Sequence, residues 1–79
     1  MEIEVRLFAT FRDYLPQGSD TFSCKKSMPT ETIVRRIAED LKLPDDTPKI
    51  FIVNGNVVTG DHVLCDGDVV SIFPPVAGG

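Results

Sequence analysis

Only one stretch of this chain carries an apolar stripe at helical spacing. Ile33, Val34, Ile37, Ala38 and Leu41 recur at i, i+1, i+4, i+5 and i+8, which gathers them on one side of a helix. Arg35, Arg36, Glu39 and Asp40 fall on the other side. Elsewhere the apolar residues come in short alternating or continuous runs, the signature of strands. A single helix with a single apolar stripe covers one face of one sheet. A chain of 79 residues is thereby restricted to a two-layer α+β domain with a modest core.

The strands can be placed one by one. Ile3, Val5 and Leu7 alternate with Glu2, Glu4 and Arg6, a half-buried strand, and Phe8 then falls on the polar side. Thr10 to Leu15 predicts one helical turn, stopped by Pro16 and Gly18. Residues 20–26 alternate through Phe22 and Cys24 and pair back onto the first strand. Pro29-Thr30 opens the helix, with Thr30 as N-cap and Glu31 favoured by the helix dipole. Pro44 ends it. Lys49 to Val53 is a dense β-branched and aromatic run, and Asn54-Gly55 before Val57-Val58 is a strong hairpin signal. Asp61 to Leu64 is short and ambiguous. Asp66-Gly67-Asp68 forms a turn, and Val69 to Phe73 is the last strand.

The order is strand, strand, helix, strand, short strand, strand, with the first and last strands side by side at the centre. That is a ubiquitin-like β-grasp, a mixed sheet of four to five strands with one main helix packed on one face. Residues 1–73 make the domain. Residues 74–79 make a tail.

That tail reads Pro74-Pro75-Val76-Ala77-Gly78-Gly79. The prolines end the strand and hold the exit extended. Two terminal glycines leave the carboxylate free of side chains, fit to enter a narrow active site. Such a doublet arises by chance in roughly one chain in 200, so its weight depends on the domain that bears it. Pro74 to Gly79 spans about 20 Å when extended, at ~3.3 Å per residue.

Composition excludes several classes. The net charge is −4 and the eight basic residues are scattered, with only Lys25-Lys26 and Arg35-Arg36 as pairs. Nucleic-acid binding calls for clustered cations. No apolar run approaches a membrane span, and the N-terminus lacks signal-peptide regions, so the expected compartment is the cytoplasm. An acidic surface suits a basic partner or simply solubilises the domain. Cys24, Cys65 and the single His62 have no zinc spacing, and no metal site is expected. Lone cysteines are more often buried than reactive. A nucleophilic pair with His62 is therefore the weaker reading, and Cys24 is expected to pack as a small apolar group.

With the strand order in place, the residues carry a family resemblance. Leu7-Phe8-Ala9-Thr10-Phe11-Arg12-Asp13-Tyr14-Leu15 resembles the opening strand and short helix of the small subunit of molybdopterin synthase, a ubiquitin-like sulfur-carrier family. Val53-Asn54-Gly55 and Asp66-Gly67-Asp68-Val69-Val70 resemble its hairpin and "DGD" turn. Phe73-Pro74-Pro75-Val76-Ala77-Gly78-Gly79 is similar to its "PPVxGG" ending. Gly18 to Pro48 matches in pattern only.

The resemblance implies a sulfur carrier that is not catalytic alone and binds no cofactor. A ubiquitin-activating-type enzyme would adenylate Gly79 using ATP. A sulfur donor protein would then supply sulfur for a C-terminal thiocarboxylate. Pro74, Pro75, Val76, Ala77 and Gly78 would carry that group into the large synthase subunit, which transfers the sulfur to a pterin precursor. A carrier for a thiazole or tungsten pathway, a protein modifier joined through Gly79 to lysines, and a plain binding module with inert glycines are the competing readings.

A docking surface is also implied. Strand parity turns Phe8, Phe51 and Phe73 outward if Ile50 and Ile52 face the helix, and exposed aromatics suit a partner. A bulge or a one-residue register shift would bury one or more of them instead. Arg12 matches a position that the family often fills with arginine; a surface ion pair is the simpler role.

Overall fold

The computed structural model describes residues 1–75. It contains β1 (Glu2–Leu7), a 3-10 turn (Ala9–Tyr14), β2 (Ser23–Ser27), α1 (Val34–Asp40), β3 (Ile50–Val53), β4 (Asn56–Val58) and β5 (Val69–Phe73). The strands form one sheet in the order β2-β1-β5-β3-β4. β1 and β5 run parallel at the centre, and the remaining pairings are antiparallel. This is the β-grasp anticipated from the element order.

One face of the sheet carries Ile3, Val5 and Leu7 from β1, Val70 and Ile72 from β5, and Phe51 and Val53 from β3. These residues form one cluster with Val34, Ile37, Ala38 and Leu41 of the helix and with Phe11, Leu43 and Leu64. The apolar stripe thus meets the sheet as its spacing demands. Cys24, opposite Val5, packs against the edge of this core. Lys26 reaches from the same side of β2 to pair with Asp40 of α1.

Two sequence expectations are corrected here. Thr30 is not the N-cap; the helix starts at Val34, after Ile33 in an extended conformation. Its first donors are satisfied by a distant segment. Val34 N–H donates to the His62 carbonyl (2.9 Å) and Arg35 N–H to the Gly60 carbonyl (3.0 Å), while Leu64 N–H donates to Thr32 (2.9 Å). The ambiguous stretch at 61–64 is therefore a strap across the helix N-terminus, bridged through Ile33 and Val63. Carbonyls from the strap do the work of a capping side chain.

The second correction concerns Phe51, which faces the helix and is only 9% exposed. It stands opposite Ile72 on β5 and Val58 on β4. Ile50 and Ile52 take the outer face instead. Ile50-Phe51-Ile52-Val53 is apolar at every position, so alternation cannot choose a face. The two-residue turn at Asn54-Gly55, both with positive φ (51° and 87°), fixes the pairing and sends the larger ring inward.

The turns at the lower end of the sheet are bound together. Asp68, 9% exposed, accepts from Asn54 Nδ2 (2.9 Å) and from the Cys65 N–H (2.8 Å). The Asn54 side-chain carbonyl accepts from Val69 N–H (2.9 Å), and Asn54 N–H returns a bond to the Val69 carbonyl (2.9 Å). Asp66 accepts from Glu2 N–H (2.6 Å). The Asn-Gly and Asp-Gly-Asp motifs are halves of one network that sets the register of β5 between its neighbours.

Candidate functional site: the tail root and the outer face of the sheet

β5 lies in the middle of the sheet, so the tail leaves the domain between β1 and β3. Phe73 stands opposite Ile50; Pro74 is half-buried and Pro75 exposed. Val76, Ala77, Gly78 and Gly79 lie outside the described residues, and with them the reacting end expected at Gly79.

On the outer face at this root, three aromatic rings meet. Phe8 and Phe73 stack with centroids 4.2 Å apart and planes 3° from parallel. Phe22 lies against Phe8 at 5.6 Å, tilted by 37°. Phe8 and Phe73 are half-buried because they shield one another. Phe51, the third aromatic expected here, is on the opposite face. Its place in the outer row is taken by residues that sequence reading missed. Ile50 (40% exposed), Phe22 (39%) and Val57 (74%) are open to solvent, and Ile52, directly opposite Val57, joins them to the stack.

The missed signal lies in the strand register. Once Ile50 faces Phe73 and Ile52 faces Ser71, the outer row runs from Val57 through Ile52 and Ile50 to Phe73, Phe8 and Phe22. An apolar row of this length on a solvent-facing sheet is a candidate partner surface.

Charge divides the same face. The end farther from the tail carries Glu2 and Glu4 of β1 and Lys25 of β2, and Arg6 lies between them and Phe8. Arg6 Nε donates to Glu4 Oε2 at 2.6 Å. Arg12 is exposed on the 3-10 turn whose Phe11 is buried beneath it, within four residues of Phe8 in the chain. The structure therefore gathers Phe8 and Phe73 at the root of the tail, places Arg12 on the adjoining turn and removes Phe51.

The remaining chemistry-bearing side chains have structural settings. Cys24 and Cys65 are both free thiols. Burial pushes the Cys24 thiol pKa up from its ordinary value; nearby Lys26 and a hydrogen bond with Ser19 oppose the shift without cancelling it. A raised thiol is a poor nucleophile. His62 gives its carbonyl to the helix N-terminus. Among the described residues, no group of three or more His, Cys, Asp and Glu side chains is placed to hold a metal ion, and no helix is long and apolar enough to cross a membrane.

Sequence comparison matches residues 5–79 to the ThiS family, through the last glycine of the tail. The chain belongs to that family. Small archaeal modifier protein 3 of Haloferax volcanii is 36% identical, with all of both chains covered. The molybdopterin synthase sulfur carrier subunit of Escherichia coli is also 36% identical, over 98% of this chain and 99% of its own length. The solved complex of subunits 1 and 2 of the molybdopterin-converting factor from Helicobacter pylori contains a similar chain. That chain aligns over the full length of both proteins at 25% identity and a TM-score of 0.65. This ThiS family member shares its fold with the H. pylori chain and its sequence extent with these relatives.

Proposed function

We propose that this chain is a sulfur carrier acting as the small subunit of a molybdopterin synthase. The terminal carboxylate of Gly79 is adenylated by a ubiquitin-activating-type enzyme at the expense of ATP. Sulfur from a donor protein then displaces the adenylate to give a thiocarboxylate. The large synthase subunit receives the tail and passes the sulfur to a pterin precursor. The chain itself binds no cofactor, and its proposed compartment is the cytoplasm.

The observation that carries this reading is the family match running through Gly79 on a domain whose tail departs beside an uncovered apolar row. A carboxylate is a poor electrophile until it is activated as an acyl adenylate, after which sulfur can replace the leaving group. The partners provide the acids and bases. What the chain provides is a docking face and a tether of about 20 Å. Pro74-Pro75 before the glycines favours the molybdopterin branch over a thiazole carrier, and the names borne by the E. coli and H. pylori relatives support the same branch.

Incubation with an activating enzyme, ATP and a sulfur donor tests the proposal. Intact-mass spectrometry is expected to show one oxygen exchanged for sulfur at the C-terminus. Failure to form either the adenylate or the sulfur adduct with any cognate activating enzyme would favour an inert module. Gly78→Ala is expected to leave the fold intact and slow adenylation; unchanged kinetics would show that position 78 is not sterically confined.

The Haloferax modifier, equally identical, supports a second reading in which Gly79 is joined to lysines of other proteins. Gly-Gly remnants on lysines after digestion of a lysate would favour it.

A further inference from the structure

β1 stops at Leu7, whereas β5 runs on to Phe73, past the last β1–β5 pair of Leu7 with Ile72. The first strand turns away because Ala9 adopts a left-handed φ of 53° and the 3-10 turn begins. Phe73 therefore keeps a strand partner in Ile50 on β3 but has none on the β1 side. There, side chains stand in for the missing ladder. Phe8 lies flat on Phe73, and Phe22 braces Phe8 from the other side. Phe22 is itself pinned, since its carbonyl accepts the Leu7 N–H at 2.8 Å and β2 begins at the next residue.

We infer that Phe22 is a positioning residue for the tail: by bracing Phe8 it holds Phe73, and so sets the direction in which Pro74-Pro75 leave the sheet. The inference rests on the reading that Gly79 reacts in a partner's site. Prolines fix φ, so Pro74 and Pro75 have less freedom to undo a swing at Phe73. Once the domain is docked, a narrower cone of exit raises the effective concentration of the terminal group in the partner's active site. Phe22 needs no contact with the partner to act in this way. An aromatic pair shifts an equilibrium by about 2- to 10-fold beyond its buried area, and the rate effect is expected in that range.

Two substitutions in the full chain test it, F22L and F22Y. In the free protein, NMR reads the Phe8 and Phe73 ring shifts and the backbone order parameter of Phe73. F22L is expected to move the ring shifts and lower the order parameter, while F22Y keeps both near wild type. With an activating enzyme, single-turnover adenylation at saturation is expected to slow about 2- to 10-fold in F22L. Because Phe22 also belongs to the outer apolar row, Kd is titrated separately and the rates are compared at saturation, where F22Y is expected to recover the wild-type rate. Unchanged Phe73 order in F22L, an unchanged saturated rate, a loss confined to Kd, or F22Y as slow as F22L each overturn the inference. If the wild-type chain is never adenylated, the sulfur-carrier reading fails and the order parameter alone decides for or against Phe22.

Discussion

Phe51→Ala and Phe73→Ala separate the two faces of the sheet and should give opposite phenotypes. Phe51 is 9% exposed and sits among Val53, Ile72 and the helix side chains. Removing such a ring costs about 3–5 kcal/mol through lost burial and the cavity left behind. A domain of 79 residues has about 4–12 kcal/mol in total at 0.05–0.15 kcal/mol per residue. The substitution therefore removes a large share of the stability. With a urea m-value of about 1 kcal/mol/M for so small a domain, the midpoint falls by about 3 M or more.

Phe73 is half-buried, and its truncation forfeits a stacked pair and part of its area, about 1–2 kcal/mol. Its main effect should appear in binding, because its ring belongs to the outer row. Urea unfolding followed by circular dichroism, with titration against the large synthase subunit, measures both quantities. If Phe51→Ala loses less than about 1 kcal/mol and Phe73→Ala the larger amount, then the face assignment of β3 is wrong. The outer apolar row described above would then be wrong as well.

Three further outcomes are expected. Asp68→Ala should destabilise by about 2–4 kcal/mol, since it strips two charge-assisted hydrogen bonds from a nearly buried carboxylate. A double-mutant cycle with Asn54→Gly should show coupling above about 0.5 kcal/mol, and additivity would mean that the two turns are independent. Lys42→Gly should stabilise by about 1 kcal/mol, because Lys42 ends the helix with φ at 62° and glycine removes the left-handed strain; lower stability in urea would contradict this. For Cys24, burial raises the folded-state pKa above the ordinary 9.0, so above that pH the unfolded chain holds fewer protons than the folded one. Its contribution is complete below pH 9.0 and is lost as pH rises through the folded value. Urea midpoints measured across that window should fall more steeply for the wild type than for Cys24→Ala, and parallel curves would count against a buried thiol.

Sequence pattern located the elements wherever one local signal outweighed its rivals. Glu2, Glu4 and Arg6 between Ile3, Val5 and Leu7 leave one choice of inner face, and the structure buries those three apolar residues. Asn54-Gly55 and Gly67 adopt the positive φ that their residue types permit. The failures share a cause, which is information held far away in the chain. The helix N-terminus is capped by Gly60 and His62 rather than by the nearby Thr30. The face of Phe51 depends on partners at Ile72 and Val58. The sequence put Phe22 in alternation with Cys24, and only the fold sets it against Phe8. For the site, the Gly78-Gly79 ending that the proposed function rests on is visible in the sequence, whereas the outer apolar row had to wait for the register of β3.

In the proposed function, the central position of β5 suits a tail that is drawn into a partner. A tail drawn into a partner's active site pulls on the strand that bears it. On an edge strand that pull would be resisted by one ladder, which can open bond by bond. β5 is held on both sides, by β1 and by β3, and its start is pinned through Asn54 and Asp68. The same centrality puts the root of the tail beside Phe8, Phe73 and Ile50 on the outer face. A helix covers the inner face, so the outer face is the one that stays accessible to a partner. Apolar residues there add little to the core, and water opposes their exposure until a partner covers them. In the proposed function, the strand order that places the root of the tail at the centre of the sheet also places the docking surface on its outer face.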